Sequence, residues 1–294
     1  MIDPSAQHNM PCIICNGREW KFLYDRCGYD YLKCNACGLI KTDPLPTDED
    51  VRRHHAYHAQ EGHYQLSVKC GRKDSVHQAI YDYASAFVTQ NMEHPRVLDL
   101  GCYTGALLDC FQADGWETWG VELQPQAAEI AKTKHADRIF CGQIEDFKVP
   151  EFGSFDCVTA VGSIEHLSNP EVMLRVAKEA LRRGGLIILQ TPNTASLPAK
   201  LLGRHWPCYF PVEHIYHFSA RNLRKFLKKN SIETCDVKSH WKYLEFNYFY
   251  SMSITLWPEL HGILGPMYRI MPEFIRKSRL PMYGGEMLLA ARKV

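Results

Sequence analysis

The chain has 294 residues, 46% of them apolar and 23% charged, with a net charge of +1. That is the make-up of an ordinary globular protein with room for one large domain and a small module. A charge so near zero sets up no overall field toward nucleic acid or an anionic membrane, and no apolar run reaches the ~18 residues of a membrane span. The opening MIDPSAQHNM lacks the basic and apolar regions of a secretory signal. A cytoplasmic location is therefore expected, in which the 12 cysteines serve as reduced thiols or metal ligands rather than as a disulfide frame.

Residues 1–45 carry two C-x-x-C pairs, Cys12 with Cys15 and Cys34 with Cys37, separated by 18 residues. This is zinc-ribbon spacing. Glycines follow each pair and permit tight turns, and four thiolates complete a closed tetrahedral site with no position for a substrate, so the expected Zn2+ is structural. Phe22, Tyr24, Tyr29 and Tyr31 alternate as in two short strands. So small a unit lacks a core of its own, and the metal replaces it. Cys27 lies off the pattern.

A helical connector follows over 46–92. Thr47 with Glu49 and Asp50 suits a helix start. His54 and His58 stand at i, i+4 with His55 and His63 nearby, but no third ligand at a fitting spacing accompanies them, and they read as a polar helix face. A second helix, roughly 75–91, carries Ile80, Tyr83, Ala84 and Phe87 on one face. Tyr57, Tyr64 and Tyr81 either pack in the ordinary way or line the mouth of a crevice in the next domain.

The main domain, 93–294, opens with VLDLGCYTG. Val97, Leu98 and Leu100 read as a buried strand, Gly101 to Gly105 as a turn, and Leu107, Leu108 and Phe111 recur at helical spacing. Strand, glycine turn and helix bring backbone N–H groups to a ligand at a helix N-terminus. WETWGVEL is a second strand ending in Glu122, an acidic residue placed to accept both hydroxyls of a ribose. A helix over 126–134, a short strand over 138–141, a strand over 155–161, an amphipathic helix over 171–182 stopped by Gly184-Gly185, and a strand over 186–190 follow. The alternation predicts a parallel, doubly wound α/β sheet.

With glycines four apart in G-C-Y-T-G, Asp99 two before the first, Glu122 downstream and Glu165-His166 after the fourth strand, the stretch from about 93 to 239, with a last strand at 282–293, resembles the class I S-adenosylmethionine-dependent methyltransferases. The resemblance implies their Rossmann-like, mostly parallel seven-stranded sheet and S-adenosyl-L-methionine as cofactor. Asp99, Gly101 and Gly105 are then expected around its methionine part, Glu122 on the ribose, Ile144 and Glu145 near the adenine, and Gly162 and Ser163 beneath the methionine. Tyr103 stands where that family often has glycine, so its side chain must point away from the cofactor or the turn must shift. The two cysteine pairs, the D-P-L-P stretch and the W…P-x-E-H…F-S pattern from Trp206 look like bacterial methyltransferases of sugars and nucleotide-linked sugars. That subgroup's proton-transfer residues fall here at His166, Glu213 and His214.

Methyl transfer from a sulfonium needs a positioned nucleophile and a group to take its proton, and a histidine beside a carboxylate suits both demands. Adjacent residues such as Glu213 and His214 need not point the same way. The expected acceptor is a small sugar or nucleotide- or lipid-linked glycan precursor, methylated on oxygen, carbon or nitrogen. An RNA base methyltransferase with a zinc-binding substrate module is the second enzyme reading, weakened by the near-neutral charge and by the lack of an N-P-P-[FY]-like motif after the fourth strand. A non-catalytic binding protein that keeps the fold is the third. Arg221, Arg224, Lys225, Lys228 and Lys229 interleave with Leu223, Phe226 and Leu227 as the solvated face of an amphipathic helix. Residues 240–281, rich in aromatics including Tyr243, Phe246, Tyr248, Phe249 and Tyr250, form an insertion readable as a lid, a homodimer surface or a peripheral membrane contact. Pro258, Pro266 and Pro272 argue against a long amphipathic anchor.

Overall fold

The computed structural model describes residues 10–26, 28–47, 50, 76–88, 94–150, 152–209, 212–247, 250 and 258–294. The connector residues His54, His55, Tyr57, His58, His63 and Tyr64 lie outside them, as do Cys27, Glu49, Tyr248 and Phe249.

The cysteine-rich segment forms β1 (Trp20–Arg26) and β2 (Tyr29–Cys34), antiparallel as the alternation predicts, with Phe22 opposite Leu32. A third strand, β3 (Ile40–Asp43), was not foreseen. All four of its residues are buried, although three are polar. Their burial is made tolerable by pairing: Lys41 Nζ donates to Asp43 Oδ1 at 3.0 Å and lies over the Trp20 ring at 4.9 Å. On its far side β3 pairs with β9 (Tyr216–His217), which belongs to the main domain. The small sheet thus runs β1-β2-β3-β9. The ribbon also shares a core with the main domain, since Cys12, Ile14 and Leu39 pack in one cluster with Phe218, Leu223 and Phe226.

The main sheet has the order β10-β11-β8-β7-β4-β5-β6, with β4 (Arg96–Leu100), β5 (Glu117–Glu122), β6 (Ile139–Cys141), β7 (Phe155–Val161), β8 (Leu181–Pro192), β10 (Ile232–Glu245) and β11 (Arg279–Lys293). Strands β6, β5, β4, β7 and β8 are parallel, and β11 is antiparallel to both its neighbours. Along β4, Val97 faces one core cluster while Leu98 and Leu100 face the other, the apolar-on-both-faces pattern of a buried parallel strand. Helix α1 (Val76–Ser85) and α2 (Ala106–Ala113) cover one face, where Phe111 meets Tyr81 and Trp116 edge-on at 4.9 and 5.0 Å. Tyr81 is therefore a packing residue. The Thr47 hydroxyl accepts from Asp50 N–H at 3.1 Å.

Helix α3 (Pro125–His135) spans the segment predicted helical over 126–134. Helix α4 (Pro170–Ala180) is shorter than predicted: Leu181 leaves the helix to pair with Phe155 and is fully buried, so β8 begins before the glycines rather than after them. Helix α5 (Leu197–Leu202) follows β8, and α6 (Ala220–Lys229) opens with a Ser219–Asn222 capping box. The basic residues of α6 are exposed, as predicted, and Lys229 also bridges Ile13 O at 2.8 Å and Glu171 at 2.9 Å, tying ribbon to sheet.

The aromatic insertion is partly an extension of the sheet. Strands β10 and β11 stay paired out to Glu245 opposite Arg279, and α7 (Pro258–Ile270) and α8 (Glu273–Arg276) follow at the tip. There Tyr250 stacks on Tyr268 at 3.7 Å, and Arg276 covers Tyr268 at 4.8 Å. None of the helices among the described residues is long and apolar enough to cross a membrane.

Trp206, fully buried, donates its indole N–H to Gly284 O at 2.8 Å and seats the loop after β8 on β11. A Cβ at Gly285 would lie 2.9 Å from that ring and 2.5 Å from Ser196 Oγ, and φ there is +95°. Gly285→Ala is expected to cost about 2–4 kcal/mol, read as a lowered urea midpoint.

Candidate functional site

The C-terminal ends of β4, β5 and β7 lie side by side, the position where doubly wound sheets bind ligands. Gly101 takes φ +92° and Gly105 φ +79°, while Gly101 N and Cys102 N both donate to Val121 O, at 2.9 and 3.0 Å. A Cβ on Gly101 would meet Ser163 Oγ at 2.4 Å, so the turn and the loop after β7 touch through the absence of a side chain. Asp99 is 2% exposed, and Thr159 Oγ1 donates to its Oδ1 at 2.7 Å. Burial pushes the Asp99 carboxyl up to about 7, against the opposing hydroxyl bond.

Tyr103 also adopts a positive φ, +50°. The turn therefore keeps a backbone that glycine adopts without strain, and does not shift to accommodate the side chain. Its N–H donates to Glu122 Oε2 at 2.8 Å, while Gln124 N–H donates to Oε1 at 2.7 Å. These two bonds pin the Glu122 carboxylate at the end of β5, and burial raises its pKa. Ile144 begins a short turn after β6 and is half-buried, and Glu145 beside it is exposed. Gly162 takes φ +57° and Ser163 is buried. The eight residues expected at the cofactor thus all stand at strand ends or loops on this one edge, and Asp99, Glu122 and Ser163 are its buried members.

A second cluster adjoins it. Glu165 and His166 lie in a turn after β7, and His214 lies on the loop before β9. Ligand atoms of these three side chains lie within 4.8 Å of one another. The His166 and His214 rings meet edge to face at 4.8 Å. The two loops are stitched by Ile215 N–H donating to Glu165 O at 2.8 Å. His214 Nδ1 is 2.7 Å from Cys208 O, which makes it the protonated nitrogen of the neutral ring. Glu165 is 2% exposed with Oε2 making no hydrogen bond, and burial raises its pKa while His214 lowers it.

The structure therefore brings together His166 and His214, as predicted, but the carboxylate that meets them is Glu165. Glu213 is half-buried in the turn just before His214 and stands outside the three-way cluster. Several residues near the site had no local signal. Thr42 Oγ1 donates to His214 O at 2.9 Å from the ribbon strand β3. His217, buried between Tyr31 and Tyr209, is held well below its ordinary pKa by burial and by the neighbouring histidines. Glu286 on β11 lies opposite Pro192 on one side and His240 on the other, and Lys242 bridges to it at 2.6 Å. Glu286 Oε2 and His240 Nε2 are buried and make no hydrogen bonds, and the Thr191 hydroxyl is near enough to the Glu165 carboxyl to lower its pKa.

In the ribbon, Cys12 Sγ is 3.4 Å from Cys37 Sγ and Cys15 Sγ is 3.5 Å from Cys34 Sγ, with all four sulfurs within 4.8 Å. A tetrahedral ion with ~2.3 Å bonds to sulfur separates its ligands by ~3.8 Å, so the four fit one zinc ion.

Residues 42–233 match a family model described as a methyltransferase domain. This is well over half of the chain, which therefore belongs to that family of enzymes. A ubiquinone biosynthesis O-methyltransferase of Xanthomonas oryzae pv. oryzae is 29% identical over 117 residues, 38% of this chain and 48% of the relative. The chain thus spans about half the length of the first curated relatives it matches. Two solved structures share the fold. The YcgJ protein of Bacillus subtilis has a TM-score of 0.51 at 15% identity, over 74% of this chain and 98% of that one. The 1,6-didemethyltoxoflavin-N1-methyltransferase of Burkholderia thailandensis has a TM-score of 0.51 at 12% identity, over 93% of this chain and 99% of that one.

Asp99 has a pH signature. The folded chain holds its proton to about pH 7, whereas the unfolded chain releases it near the ordinary value of 3.8. The native state thus has its full advantage below pH 4 and loses it as pH rises through 7. Asp99→Asn, measured by urea unfolding, is expected to be no more stable than the parent at pH 4 and to gain on it by a few kcal/mol at pH 8.

Proposed function

We propose that this member of the methyltransferase domain family transfers the methyl of S-adenosyl-L-methionine to a small polyhydroxylated acceptor, a sugar or nucleotide-linked sugar, with a histidine of the Glu165–His166–His214 cluster taking the acceptor's proton. The observation that carries this reading is the cluster itself, which stands beside Gly162 and Ser163 and so borders the sheet edge that holds Asp99, Gly101 and Glu122. S-adenosylmethionine, when bound, supplies a methyl group already activated on a sulfonium. Asp99 and Glu122 supply the carboxylates for its amine and ribose hydroxyls. Gly101 and Gly105 supply the clearance a Cβ would remove, and Ile144 with Glu145 the rim for the base.

His214 is the favoured base. Its Nδ1–H is committed to Cys208 O, so Nε2 has the lone pair to accept a proton as the acceptor attacks. Thr191 and Glu286 act on the Glu165 carboxyl, and His240 and Lys242 flank Glu286, a polar surround that suits hydroxyl-bearing acceptors better than a hydrocarbon. The four-cysteine cluster holds a structural zinc ion and, through β3, braces the loop that carries His214.

A second acceptor reading has support from the relatives' name and from exposed Leu197, Leu201, Met267, Ile270 and Phe274 on α5, α7 and α8. In it, the acceptor is a phenolic hydroxyl carrying an apolar tail, presented at that surface. Turnover assays with nucleotide-linked sugars and with a catechol separate the two.

His214→Ala is expected to lower kcat by about 10²–10⁴ while calorimetry finds cofactor affinity within twofold of the parent. Near-normal turnover in both His214→Ala and His166→Ala overturns the histidine base. Cys34→Ser is expected to lose the ribbon's zinc by elemental analysis and to lower kcat more than cofactor affinity.

A further inference from the structure

We propose that Glu165, His166 and His214 also form a second metal site, separate from the four cysteines, that takes a divalent cation of the class bound by nitrogen and oxygen donors, such as Zn2+, Mn2+ or Co2+. The assignment of the site stands on these three side chains alone; the role given to the ion below rests on the methyl-transfer reading.

Two imidazoles and one carboxylate, drawn from two loops, lie with one ligand atom each inside a 4.8 Å span. A tetrahedral ion with ~2.0–2.1 Å bonds sets its ligands ~3.4 Å apart, so displacements of ~1 Å or less per side chain close the site. The carboxylate gives an independent reason to place a cation there. Glu165 is 2% exposed, and its Oε2 makes no hydrogen bond. A buried carboxylate oxygen in that condition costs several kcal/mol, and a dication beside it removes the cost. His214 is arranged as a ligand as much as a base. Its Nδ1–H bond to Cys208 O is the outer hydrogen bond that metal-binding histidines make, and it selects Nε2 as the donor.

The backbone holds these donors before any ion arrives. Ile215 N–H to Glu165 O at 2.8 Å ties one loop to the other, and Thr42 Oγ1 to His214 O at 2.9 Å ties both to the ribbon. Three protein donors leave coordination positions open, unlike the closed cysteine site. A hydroxyl of the acceptor bound at one open position gives its proton to a hydroxide held at another, which becomes water. The acceptor's oxygen lone pair then forms the C–O bond while the S–CH3 bond breaks and its electron pair stays on sulfur. With the ion bound, His166 and His214 serve as its ligands; without it, His214 Nε2 is the base of the reading above.

The test is a count of ions. Full-length protein dialysed against Zn2+ is expected to hold two ions per chain by elemental analysis, and Glu165→Gln and His214→Ala one each. Titration with Co2+ is expected to give a second set of visible d–d bands without thiolate charge transfer, weakened at least tenfold in affinity in Glu165→Gln. Circular dichroism and S-adenosylmethionine binding serve as controls that the variants fold. One ion per chain in the parent, or a Co2+ titration unchanged in Glu165→Gln, overturns the site. Two ions in a protein that transfers no methyl group upholds the site and overturns the function. Full turnover after the weaker ion alone is removed overturns the ion's role in the reaction.

Discussion

The pairing of β3 with β9 is the contact on which the rest depends. It is only two residues long, Ile40 opposite His217 and Lys41 opposite Tyr216. Yet it converts a cysteine-rich module and a nucleotide-type fold into one body. The loop that leads into β9 carries His214, and without a neighbour that loop would run unpaired over the end of the sheet. With β3 beside it, Thr42 N–H reaches Ile215 O at 2.9 Å and Thr42 Oγ1 reaches His214 O. The imidazole is thus held by backbone it does not share with the cofactor turn. A module of this size buries too little to be rigid alone. Here its stiffness has three sources: the four sulfurs, the shared core around Leu39 and Phe226, and the Lys229 bridge to Ile13.

The cofactor side was legible in the sequence because its constraints are local. A buried parallel strand must be apolar on both faces, a tight turn against a ligand must lack side chains, and an acidic residue must close the next strand. Val97 to Gly105 and Glu122 satisfy these within one short span. The ribbon was legible for the same reason, since cysteine spacing is a local quantity. Tyr103 was the exception that the structure resolves: the residue is wrong for the conformation, yet the conformation is kept, held by its N–H on Glu122.

The Glu165–His166–His214 cluster was only half legible, because its partners come from afar. Glu165 and Glu213 are both followed by histidine, and nothing nearby distinguishes the carboxylate that turns toward the imidazoles from the one that does not. That depends on the Glu165–Ile215 crossing between loops, 50 residues apart in sequence. Glu286, His240 and Lys242 enter through antiparallel pairing of the two longest strands, which looks in the sequence like a break followed by an insertion. The premature end of α4 has the same origin, since Leu181 is drawn out of the helix by a strand partner at Phe155.

The missing side chain at Gly101 has a consequence for the order of events. Ser163 fills the space that a Cβ there would take, so the cofactor turn and the loop bearing Glu165 and His166 are in direct contact, with only one residue between Ser163 and Glu165. Any adjustment of the turn is handed to Glu165 and His166 within that distance. On the proposed reading, thermodynamic linkage makes such a connection run both ways: an acceptor that orders the Glu165 loop tightens the hold on the methyl donor by the same factor that the donor tightens the hold on it. The two half-sites of this protein share a hinge pin rather than a wall.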